Sequence, residues 1–77
     1  MTIVFKKTNK AKNTAEEVYV NVDGMYAAGR AKDIYDEFHA KNAIGFYRNV
    51  KEMVEATFKS LNIPFTWTAD NALIYEV

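Results

Sequence analysis

At Asp23-Gly24 the hydrophobic period of the chain changes, and no other feature narrows the fold so much. Before it, Glu17-Val18-Tyr19-Val20-Asn21-Val22 alternates, with Val18, Val20 and Val22 on one face of a strand and Tyr19 and Asn21 on the other. After it, apolar residues recur at helical spacing: Ala28, Ala31, Ile34 or Tyr35, and Phe38, then Tyr47, Val50, Val54, Phe58 and Leu61. A strand face and two helix stripes must each bury their apolar side against something, and the economical arrangement lays the helices on a sheet.

The periodicity predicts a first helix from about residue 25 to 41, where Asn42 and Gly45 interrupt it, and a second from about Phe46 to Leu61. Arg48–Glu52 and Lys51–Glu55 support the second helix as i,i+4 pairs. Asn62 tolerates the left-handed conformation that closes a helix, and Pro64 prevents its continuation. A tight hairpin VNV-DG-MYAA is a rival, but Ala27, Ala28 and Ala31 are better helix formers than strand formers.

Thr2–Lys6 is a β-type stretch, and residues 7–15 (KTNKAKNTA), polar and aperiodic, read as a loop to the next strand. The segment IPFTWTADNALIYEV reads as a second hairpin. A two-residue Asp70-Asn71 turn sets Phe65 and Trp67 on one face with Ile74 and Glu76. A three-residue loop, Ala69-Asp70-Asn71, sets them with Leu73, Tyr75 and Val77. The more apolar face favours the second register, with Asn71 at positive φ and Trp67 buried beside Val54 or Phe58. The expected fold is α+β: a single domain, residues 1–77, of order β-β-α-α-β-β. Its four-stranded, mainly antiparallel sheet carries both helices on one face.

Composition sets what holds such a fold together. The chain has no cysteine, so neither a disulfide nor a thiolate zinc site supports it. With 49% hydrophobic and 14% aromatic residues, packing supplies the core. Ten basic residues balance ten acidic ones, which removes global charge as an argument for nucleic acid. MTIVFKK has no leader-like pattern, and no apolar run approaches the ~18 residues of a membrane span. The expectation is a soluble, cytoplasmic protein.

Three clusters are candidates for function. Lys6, Lys7, Lys10 and Lys12, interleaved with Thr8, Asn9, Asn13 and Thr14, would give weak, salt-sensitive contact with nucleic acid, diluted by Glu16 and Glu17. Asp36 and the single histidine, His39, are neighbours on a helix and are the candidates for a metal or small catalytic site. Asp33, however, is six positions from His39 and projects to the other side. No Gly-x-Ser-x-Gly elbow or phosphate-binding glycine loop is present; Gly24, Gly29 and Gly45 are scattered. No cofactor is implied.

The third cluster is the sheet face that the helices leave open. It is expected to carry Val4, Lys6, Tyr19, Asn21, Thr66, Thr68 and Ile74, a surface suited to another protein or a second copy of the chain. The leading expectation is therefore a non-enzymatic binding module: an inhibitor, a regulator or a small subunit, of the kind that includes phage-encoded inhibitors of host proteins.

Overall fold

The computed structural model of the protein describes residues 1–45 and 47–76, with the backbone alone from 69 to 75. Two strands come first, β1 (Thr2–Asn9) and β2 (Thr14–Val22), then the helices α1 (Gly24–Ile44) and α2 (Val50–Leu61), then a third strand, β3 (Phe65–Glu76). The sheet is antiparallel, of order β1-β2-β3, with β2 in the centre.

Pairing of β1 with β2 continues past the apolar residues to Asn9↔Thr14 and leaves a loop of only Lys10–Asn13. The expected loop over residues 7–15 is corrected accordingly. Cross-strand charge explains the difference: Lys6 lies opposite Glu17 and Lys7 opposite Glu16, which stabilises a ladder that hydrophobic alternation does not reveal. Asn13 closes the loop at φ 53°, and Asn9 Oδ1 accepts the Lys12 amide at 3.3 Å.

The sheet has three strands where sequence predicts four. Ala69-Asp70-Asn71 has turn chemistry, yet the backbone runs through it as one strand. Phe65, Thr66 and Trp67 pair with Val22, Asn21 and Val20, and Ala72 to Glu76 pair with Val18 to Thr14. The extra residues of β3 stand against Tyr19 alone as a bulge. A central strand of nine residues is long enough to satisfy both segments in line, so no fold-back is needed to pair their backbones. The predicted positive φ at Asn71, and the faces proposed for Leu73, Ile74, Tyr75 and Val77, lie outside the described residues.

Helix ends follow local capping. Asp23 accepts the Met25 amide at 3.1 Å and starts α1. Gly45, at φ 69°, ends it by donating to the carbonyls of Lys41 and Asn42, three residues beyond the expected end at 41. The second helix starts at Val50, not near Phe46, which itself is outside the described residues. Asn49 Oδ1 accepts the Glu52 amide at 2.8 Å, an Asn-x-x-Glu cap. Asn62 closes α2 at φ 57°, before Pro64. Asn49→Ala is expected to cost about 1 kcal/mol and Asn49→Asp almost nothing. Thermal melting checks this, and an alanine variant that melts with the parent overturns the cap.

Both helices pack on the same face of the sheet. Ile3, Phe5, Val18, Val20 and Val22 meet Ala27, Ile34 and Phe38 of α1 and Val50, Met53, Val54 and Phe58 of α2 in one buried cluster. Phe5 joins the layers, its ring centroid 4.8 Å from Phe38, 5.4 Å from Tyr35 and 5.9 Å from Phe58. Trp67 is half-buried at the rim of this cluster rather than deep inside it. Phe65 stands between it and Phe58, at 5.2 and 4.7 Å, and the Lys51 ammonium lies 5.1 Å from the indole centre.

Candidate partner-binding face

No described element covers the other face of the sheet. Strand alternation puts Thr2, Val4 and Lys6 of β1 there, with Glu17, Tyr19 and Asn21 of β2 and Thr66 of β3. Val4 and Tyr19 are direct cross-strand partners at its centre, with Thr2↔Asn21 on one side and Lys6↔Glu17 on the other. Val4 is 41% exposed, which is high for a branched apolar residue in a strand. Tyr19 is half-buried, and its hydroxyl donates to Glu17 Oε2 at 2.7 Å, which fixes the ring along the strand. Thr2 donates to Asn21 Oδ1 at 2.9 Å. The result is a small apolar spot with a polar frame, in which the Tyr19 and Thr2 hydroxyls are bonded within the face.

Of the expected face residues, Thr68 is half-buried at the bulge, and its hydroxyl donates to the Tyr19 carbonyl at 3.3 Å, so its polar group serves the fold. The Ile74 side chain lies outside the described residues. The backbone adds a feature that side-chain reasoning passes over. Met1 and Val22 exchange both backbone bonds, and alternation from that pair turns the amide and carbonyl groups of Thr2, Val4 and Thr8 away from β2. They lie along β1, an edge strand of eight residues.

The other candidates are dispersed. The four lysines do not form one surface: Lys6 stands on the uncovered face, Lys7 on the helix-bearing face, and Lys10 and Lys12 in the exposed loop. Asp36 bonds Lys32 at 3.0 Å, and that hydrogen bond, reinforced by its charge, raises the Lys32 ammonium above its ordinary pKa. His39 is exposed, edge-on to the Phe38 ring. Asp33 pairs with Arg30 at 3.2 Å. Among the described residues no three acidic, histidine or cysteine side chains come together as a metal set. No described helix is long and apolar enough to cross a membrane.

A shallow groove that the sequence did not signal runs where α1 begins and α2 ends, lined by Tyr26, Phe58, Ile63, Pro64 and Phe65 among others. Met25 and Tyr26, beside it, are 87% and 47% exposed. The only available signal was two large apolar residues directly after Asp23-Gly24, off the helix stripe.

No family model, curated protein or solved structure matches the chain.

Proposed function

We propose that the protein is a non-enzymatic binding module that recognises another protein through the uncovered face of its sheet. The observation that carries this is the Val4–Tyr19 pair, an apolar spot at the centre of a face with no described cover. Tyrosine beside a branched residue, ringed by polar groups, matches the anatomy of an interface core and rim. The adjoining β1 edge offers backbone groups to which an extended partner segment can add as a strand. An inhibitor, a regulator or a small subunit would each use such a surface, and a second copy of the chain is the simplest partner.

The variant Val4→Thr/Tyr19→Ser tests this. Both replacements suit a strand facing water, so the melting temperature should move little. Binding to whatever partner the parent captures from its native source should fall, and any self-association seen by light scattering should be lost. Full retention of both properties would overturn the proposal. So would unfolding of the variant, because those side chains would then belong to the core.

A further inference from the structure

A pocket of about 290 Å³ opens between the tip of the β1–β2 hairpin and the segment joining the helices. Lys7, Asn9, Lys12, Thr14, Glu16 and Arg48 line it. Two distant parts of the sequence meet here. The hairpin contributes two ammonium groups, and the connection between α1 and α2 contributes a guanidinium. Three cations and one carboxylate, Glu16, line the wall, with the Glu52 carboxylate beside Arg48.

Three of the four charged groups have an identifiable engagement. Glu16 Oε2 accepts the Val50 amide at 3.4 Å, so this carboxylate is held at the start of α2. Lys7 Nζ donates to the Tyr47 carbonyl at 3.5 Å, a neutral acceptor that leaves the ammonium charge uncompensated by that bond. Arg48 meets Glu52 at 3.7 Å, with the arginine side chain 89% exposed, a loose pair that a competing anion can displace. Asn9 uses its oxygen on the Lys12 amide, which leaves its NH₂ for another acceptor.

We propose that this pocket binds a phosphate group, with Lys7, Lys12 and Arg48 supplying the charge and Asn9 and Thr14 the neutral donors. A phosphate can take the place of the Glu52 carboxylate beside Arg48, and its several oxygens can engage guanidinium, ammonium and amide donors together. A single carboxylate offers half the charge and fewer acceptors. The site is separate from the uncovered sheet face and does not depend on the function proposed for that face.

The test is an amide-resolved NMR titration of the whole chain at low ionic strength. The probes are inorganic phosphate, pyrophosphate and a short single-stranded oligonucleotide. Saturable shifts are expected in the hairpin tip and around Arg48 to Val50. Lys12→Ser/Arg48→Ser should weaken binding roughly tenfold. Glu16→Gln keeps an oxygen for the Val50 amide but removes the opposing charge, so it should tighten binding several-fold. The same spectra report whether each variant is folded, and the glutamine variant tests the charge balance independently of the double variant. Binding of phosphate or pyrophosphate identifies a small phosphorylated ligand as the source. Oligonucleotide binding that falls steeply with salt identifies a nucleic-acid backbone. Shifts that never saturate, or that are the same in the parent and in both variants, would overturn the site.

Discussion

Phe5→Ala is expected to bring the protein to the edge of unfolding. The ring is 1% exposed and lies within 5.9 Å of aromatic centres from both helices, so no single neighbour can move in to fill its place. Removing a buried phenylalanine costs about 3–5 kcal/mol. A domain of this length is stable by roughly 4–12 kcal/mol in total. Each kcal/mol lowers the melting temperature of a domain this small by about 4–8 °C, so a fall of about 12 °C or more is expected. A calorimetric or circular-dichroism melt decides it. A variant that melts within about 5 °C of the parent would show that the sheet and helices are not joined through this ring.

Trp67→Ala should have the second-largest effect, and a smaller one. Its indole is half-buried, reaches the core through Phe65, and is capped by Lys51. The expected cost is about 2–3 kcal/mol, below the about 3–5 kcal/mol of a fully buried aromatic. In the parent, a soluble quencher should reach the single tryptophan, but more slowly than it reaches free indole. Quenching as fast as free indole would place Trp67 in water and break the pairing of Trp67 with Val20.

Part of this core was legible in the sequence from its periods, although on α1 the expected Ala28 is exposed and Ala27 is buried in its place. The alternation of Val18, Val20 and Val22, and the stripe of Val50, Val54 and Phe58, are in the buried cluster as spacing requires. Asn62 closes its helix for the stereochemical reason that made it a candidate. Met53 and Thr57, three and seven residues after Val50 on the same helix face, are also fully buried, where α2 meets α1 and the sheet. The Thr57 hydroxyl is satisfied within the helix by the Met53 carbonyl at 2.8 Å.

What escaped was set by the strand or segment that each residue faces, not by its own period. Lys7, Thr8 and Asn9 extend a strand only because Glu16, Ala15 and Thr14 face them. Ala69-Asp70-Asn71 passes through a bulge instead of a turn only because β2 continues beneath it. The basic pocket was invisible for the same reason. Lys7 and Lys12 carry too little charge to define a site until the fold brings Arg48 beside them. Of the face, Val4, Lys6, Tyr19, Asn21 and Thr66 could be grouped by alternation alone, because β1 and β2 pair without interruption and Thr66 stands directly opposite Asn21.

The order of the strands also governs the assembly of the chain in time. The first two meet across a loop of Lys10–Asn13, so their ladder can close before either helix is synthesised. The opposite side of the central strand has no such local partner. It waits for residues 65–76, which arrive only after both helices have been synthesised. Until then the run Val18-Tyr19-Val20-Asn21-Val22 presents an unpaired inner edge, the kind of template on which nascent chains aggregate. Closure of the sheet is thus a long-range step, of the kind that slows folding. A ribosome that stalls before residue 65 would release the most association-prone form of this molecule.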